Sequence, residues 1–133
     1  MTVHIVPLYA SVLALLFVGL SIRTLRMRRG LKIAVGDAGN QALLRAMRVH
    51  ANFAEYVPLG LLLAFFVEAG GAAGWLVHAL CACLLVGRAV HAWGVSQVKE
   101  DYRYRVLGMA LTFTVLLSCS AYLMVLHASA IGG

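Results

Sequence analysis

Charge is what this chain has least of. Of its 133 residues 12% are charged, and the acids number five: Asp37, Glu55, Glu68, Glu100 and Asp101. A soluble domain carries about twice that share of charge, so there is too little polar surface here to wrap a water-soluble globule. Cysteine is also scarce. Cys81, Cys83 and Cys119 all lie inside apolar runs, where they read as small buried hydrophobes and not as a disulfide framework. The Cys81-x-Cys83 spacing puts the two side chains on different helical faces, and no Cys/His quartet with zinc spacing accompanies them, so no metal site is expected. No basic residue precedes the first apolar run, and Arg23 follows it. That run is long enough to cross a bilayer, which points to a retained helix and not a cleaved signal segment.

What the chain does have is apolar length and a basic excess. Hydrophobic residues make up 62% of it, and the formal net charge is +6. The cations sit between the apolar runs and do not interleave with aromatic residues along one face, so a membrane and not a nucleic acid is the implied partner. A helix needs about 20 mostly apolar residues to span the hydrocarbon core. Four stretches qualify, at about 3–26, 41–69, 74–97 and 104–128. Within lipid each backbone group must be bonded inside its own segment, which makes the stretches helices; their unbroken apolar character excludes outer-membrane strands. The expected fold is all-α, an integral membrane four-helix bundle forming one domain over residues 1–133.

The connections set the orientation. The first holds Arg23, Arg26, Arg28, Arg29 and Lys32, with Arg45 and Arg48 at the start of the next helix, and the third holds Lys99, Arg103 and Arg105. The second, near 69–73, has no basic residue. The positive-inside rule puts the first and third connections in the cytoplasm and both termini outside. Arg28, Arg29 and Lys32 are expected to serve only this rule and lipid headgroups. Asn40 follows a glycine-rich turn and suits an N-cap for the second helix. Gly70-Gly71-Ala72-Ala73-Gly74 reads as a tight outer turn, although its spacing matches a helix-packing motif.

The second helix carries a polar stripe. Arg45, Arg48, Asn52 and Glu55 are spaced by three, four and three and so share one face. Glu55 lies about 10 Å deeper than Arg48, where a lipid-facing charge would cost at least about 2.5 kcal/mol. It therefore needs protein or a wet cavity, and Arg88 and His91 on the third helix offer partners at similar depth. Two readings are open. Glu55 and Arg88 form a buried ion pair that fixes register, or the surplus of arginines gathers round an anionic ligand. Pro58 removes one backbone donor from this helix and can kink it.

At these residues the chain resembles the MAPEG family, membrane-associated proteins in eicosanoid and glutathione metabolism. The family's R-x-x-x-N-x-x-E-x-x-P motif is complete as Arg48, Asn52, Glu55 and Pro58, with Tyr56 after the glutamate. Gly87-Arg88-Ala89-Val90-His91 resembles the third-helix motif, and Tyr102 to Met109 resembles the start of the fourth helix in the bacterial branch. Where some members carry two tyrosines on the third helix, this chain has His91 and Val95. The resemblance implies a homotrimer that binds glutathione between subunits near the cytoplasmic face, acting as a glutathione transferase or peroxidase on lipophilic small molecules in a bacterial inner membrane. It implies carboxylates of glutathione held by Arg26, Arg48 and Arg88, the ammonium accepted by Glu55, and peptide groups bonded by His50 and Asn52, with Tyr56 and His91 alongside. Arg105, or Arg103 in the other register, corresponds to the arginine that stabilises the thiolate. The family also includes non-enzymatic lipid-binding or scaffold behaviour, which is the alternative function. A transporter fits less well, since only Glu68 and His78 lend polar character towards the outer side.

Overall fold

A computed structural model describes the backbone of residues 3–131 and side chains as far as residue 128. Residues 1, 2, 132 and 133, included in the single domain expected from the sequence, lie outside the described residues. Four helices follow one another: α1 (Ile5–Leu31), α2 (Gln41–Ala69), α3 (Gly74–Ser96) and α4 (Tyr102–Ile131). All four are long and apolar enough to cross a membrane. Against the expected spans, α1 begins two residues later and continues five further, through the basic segment, α3 ends one earlier, and α4 starts two earlier and ends three later.

The ends of the helices have local causes. Asn40 caps α2 as its position suggested, with Oδ1 accepting from the Leu43 N–H at 3.0 Å. Lys32 closes α1 in the left-handed region at φ 56°. Arg28 does more than the orientation rule asks of it. Its Nη1 donates to the carbonyls of Ala34 and Gly36 at 3.2 and 3.0 Å, satisfying carbonyl groups just past the helix end. The expectation that it serves only topology and headgroups is corrected on this point. Gly71 has φ +85°, which identifies 70–73 as a turn, and a Cβ on Gly70 would stand 2.7 Å from Leu126 Cδ2.

Neighbouring helices run antiparallel. α2 and α3 occupy the centre, α1 packs on both of them, and α4 packs on α2 and α3. The core of Leu13, Val57, Ala64, Val77, Leu84, Val115 and Cys119 runs along their shared faces. Cys81 and Cys119 are buried and all three cysteines are free. The outward faces stay apolar, with Leu15, Leu117 and Met124 each more than two-thirds exposed, as a lipid-facing surface requires.

The closest approach is between α3 and α4. A Cβ built on Gly108 would stand 2.6 Å from His91 Cβ and 2.7 Å from the Gly87 carbonyl oxygen, and one on Gly94 would stand 2.7 Å from Tyr104 Cβ. Helices in lipid gain little from hydrophobic association, so small residues that let backbones meet are a main source of contact. These glycines form the surface on which the backbones of α3 and α4 meet.

At the opposite end Glu68 ties α2 to the start of α1. Its carboxylate accepts from the backbone N–H groups of His4, Ile5 and Val6 at 2.8, 2.7 and 2.8 Å. These are amides that a helix N-terminus leaves without partners, and an anion is favoured there. Glu68→Ala is expected to destabilise the fold by about 1–2 kcal/mol, the worth of a lost cap. Thermal unfolding of the purified protein in detergent measures it, and an unchanged midpoint would reject the capping role.

Candidate functional site

The first turns of α2 and α4 and the last turns of α3 meet around a cleft of about 270 Å³. From α2 come Gln41, Leu44, Arg45, Arg48 and Asn52; from α3, His91 and Val95; from the connection, Glu100; from α4, Tyr102 and Arg105. The spacing of the α2 stripe explains its share, because positions three and four apart stack along one face. His91 is buried at the cleft wall, while Arg105 has half its side chain exposed.

The charges in the cleft are unevenly matched. Arg45 Nη1 donates to Glu100 Oε2 at 2.7 Å and to the Val95 carbonyl at 3.2 Å. Arg105 Nη1 stands 3.8 Å from Glu100 Oε1. Arg48 has neither hydrogen bond nor ion pair among the described residues. Arg48 is therefore open towards the cleft, Arg105 is held only by a long ion pair, and Arg45 is engaged. Such an arrangement can take up anionic groups through charge-assisted hydrogen bonds.

Several residues singled out from the sequence take other places. Arg88 is buried, 1% exposed, and does not pair with Glu55. Its Nη1 donates to Asn52 Oδ1 at 2.6 Å, its Nη2 to the Gly108 carbonyl at 3.4 Å, and its guanidinium lies over the Tyr56 ring at 5.7 Å. It braces α2, α3 and α4 together just beneath the cleft and orients Asn52 in its wall. Of the two open readings, the Glu55–Arg88 ion pair is the one the structure does not contain. Glu55 is exposed, pointing away from the cleft, because Asn52 and not Glu55 faces the third helix at that level. The ion pairs among the described residues are those of Arg45 and Arg105 with Glu100.

His50 also departs from its expected place. Its Nε2 is 2.9 Å from Ser21 Oγ and its ring stacks on Phe17 at 4.7 Å. It serves the α1–α2 contact and lies off the cleft. Arg26 is exposed on α1, outside the cleft, and Arg103 is exposed at the start of α4. Tyr56 packs edge-on against Phe113 and under Arg88, so it supports the site from below.

A second depression adjoins the first. An apolar groove of about 400 Å³ runs along α4, lined by Val106, Met109, Ala110 and Phe113, and shares Tyr102 and Arg105 with the polar cleft. Arg105 therefore stands where a polar cleft and a lipid-facing groove meet.

The model of the MAPEG family matches residues 6–125. The chain belongs to the MAPEG family. Among its relatives is the inner membrane protein YecN, found in two strains of Escherichia coli, 38% identical over 110 residues that cover 83% of this chain and 82% of YecN. Four spans and this relationship make the chain a multi-pass inner-membrane protein. The MAPEG motif on α2 divides in space. Arg48 and Asn52 line the cleft, Pro58 sits within an α2 that stays helical through to Ala69, and Glu55 is turned outward.

Sequence reasoning missed Glu100 and Gln41 as cleft residues. Glu100 was given no role from the sequence, because it precedes α4 and no periodicity reaches it. One signal was available: it is an acid within a segment otherwise rich in cations.

Proposed function

We propose that this protein binds glutathione in the cleft between α2, α3 and α4 and uses its thiolate against lipophilic electrophiles or hydroperoxides drawn from the bilayer. The observation that carries the reading is the position of Arg105, which has one side on a cation-rich cleft and the other on an apolar groove. Arg48 and Arg105 would receive the negative groups of glutathione, and Asn52 and His91 would bond its peptide groups. A guanidinium beside the sulfur favours thiolate over thiol, and thiolate is the nucleophile. In conjugation the sulfur forms a bond to carbon and the leaving group departs with its electron pair. With a hydroperoxide, two glutathione molecules give up two electrons, yielding the disulfide, an alcohol and water.

We also propose a homotrimer. The support is Glu55, a carboxylate about halfway along α2 that is exposed on a single chain. Facing lipid it would cost at least about 2.5 kcal/mol; against a neighbouring subunit it can find a donor. Arg26, exposed near the cytoplasmic end of α1, would then be available to a neighbour's cleft. A calorimetric titration of detergent-purified protein with glutathione tests the first claim, with saturable binding expected. Crosslinking in membranes tests the second, with a ladder ending at three chains expected. Absence of binding would remove the glutathione reading, and a ladder ending at one chain would remove the intersubunit placement of Glu55.

The alternative of a lipid-binding or scaffold protein draws on the same apolar groove. It differs in leaving the polar cleft unused, so the titration separates the two.

A further inference from the structure

Glu100 stands between arginines of two helices. It lies in the connection from α3 to α4, and its side chain is 5% exposed. Oε2 accepts from Arg45 Nη1 at 2.7 Å, and the same nitrogen donates to the Val95 carbonyl at 3.2 Å. Arg45 thus holds Glu100 against the end of α3. Oε1 makes no hydrogen bond among the described residues and faces Arg105 Nη1 across 3.8 Å. That distance is beyond hydrogen-bond reach, so Oε1 acts on Arg105 through charge alone. A carboxylate bonded directly to Arg105 would occupy its donors. A carboxylate one step further off weakens the field of the guanidinium and leaves its N–H groups free for a ligand. Glu100 is buried, so water and salt screen this interaction less than they would a surface pair. The remaining charged or titratable groups lining the cleft are Arg48 from α2, His91 from α3 and Tyr102 from α4. None of these is a carboxylate, so Glu100 is the charge in the cleft wall that opposes the guanidinium groups.

From this arrangement we infer that Glu100 is a positioning residue that limits the pull of Arg105 on an anion, and so sets the basicity of a thiolate held beside it. The inference rests on the glutathione reading and deepens it. Arg105 draws the sulfur towards the thiolate form, and more positive charge would draw it further. The gain has a limit, because a thiolate of lower pKa is a weaker nucleophile, and a thiol that ionises near the ambient pH attacks fastest. Three guanidinium groups without a counter-charge would overshoot that point, and Glu100 holds them back. In the reaction the thiol proton leaves for water, the sulfur's electron pair forms the new bond, and the leaving group departs with its own pair. Glu100 keeps its charge throughout.

The test follows the thiolate absorbance of glutathione bound to the full-length protein in detergent as pH is varied. Glu100→Gln should lower the apparent pKa of the bound thiol by about one unit, the effect of one charge removed at this range. Its KM for glutathione should fall, and its turnover at a pH where the thiolate is fully formed should fall about threefold. Glu100→Asp keeps the charge and should stay near the wild type. Arg45→Gln leaves the carboxylate without its partner, strengthens its hold on Arg105 and should move the thiol pKa upwards. A role confined to fastening the connection would weaken binding in both glutamine variants without moving the pKa in opposite directions, and that result would overturn the inference. So would a thiol pKa that is unchanged or raised in Glu100→Gln, or Glu100→Asp behaving as Glu100→Gln does. If Glu100→Gln does not fold, Arg45→Gln decides: a raised pKa supports the inference, and an unchanged or lowered one overturns it. In all of these cases the wild type still shows bound thiolate, so the glutathione reading survives. A wild type without bound thiolate removes that reading and this inference together.

Discussion

Arg105→Ala is expected to lower glutathione conjugation by about a hundredfold or more, the usual cost of deleting one preorganised group that stabilises developing charge. The side chain stands at the junction of the polar cleft and the apolar groove on α4, so it is placed where a thiolate and a lipophilic partner would meet. It makes no hydrogen bond among the described residues, and its only ionic neighbour is Glu100 at 3.8 Å. Its removal should therefore leave the helices in place. The effect should fall mainly on turnover, with glutathione affinity reduced much less, since Arg48 remains. The thiolate absorbance of bound glutathione should fall in parallel. Unchanged turnover would reject the role and would direct attention to Arg103, which is exposed one helical step and more away. Arg105→Lys keeps the charge but loses the planar fork, and an intermediate rate is expected of it.

Gly108→Ala should be among the most destabilising single-methyl additions in this protein. The added carbon would meet His91 Cβ at 2.6 Å and the Gly87 oxygen and His91 nitrogen at 2.7 Å. Two of those three atoms are backbone, so no side chain can swing aside and the helices themselves must separate. Overpacking of this kind costs about 1–3 kcal/mol, and the rigidity of the contact puts this case at the upper end. Separation would also disturb chemistry. Thr112 Oγ1 and Arg88 Nη2 both donate to the Gly108 carbonyl, at 2.8 and 3.4 Å, and His91 forms part of the cleft wall. Gly60→Ala offers a comparison within the same fold. Its new carbon would meet the terminal methyl groups of Leu84 at 3.0 and 3.3 Å and of Leu116 at 3.8 Å, which can yield, so a smaller loss is expected. Thermal unfolding of both variants checks the order, and equal midpoints would show that α3 and α4 do not depend on this contact.

The residues differ in how far the sequence reveals them. Asn40 was legible as a cap because an N-cap needs only its own side chain and an amide three residues on. Arg45, Arg48 and Asn52 were legible as one face because that follows from helical period alone. Glu55 was read onto the same face, which is correct as a statement about α2, yet it was given a partner on α3 that the fold denies it. A stripe three or four residues wide covers a broad arc, and small differences in rotation decide which members point at a neighbour. His50 was misplaced for a related reason. It lies between two cleft-lining turns in sequence, but it is turned to α1, where Ser21 and Phe17 receive it. Glu100 escaped because it stands in a connection, where no period applies.

By itself the sequence determined the membrane class, the four helices, their approximate ends and the sidedness of charge. All of these depend on chemistry within a single segment: apolar length against bilayer thickness, and backbone hydrogen bonds closed four residues away. The tertiary structure alone decided which polar groups meet. Arg88 binds Asn52 and not Glu55, Glu100 joins Arg45, and Arg105 faces two depressions at once. Those pairings depend on the rotation and separation of whole helices, and between α3 and α4 the separation is set by close glycine contacts that carry no polar signature in the chain.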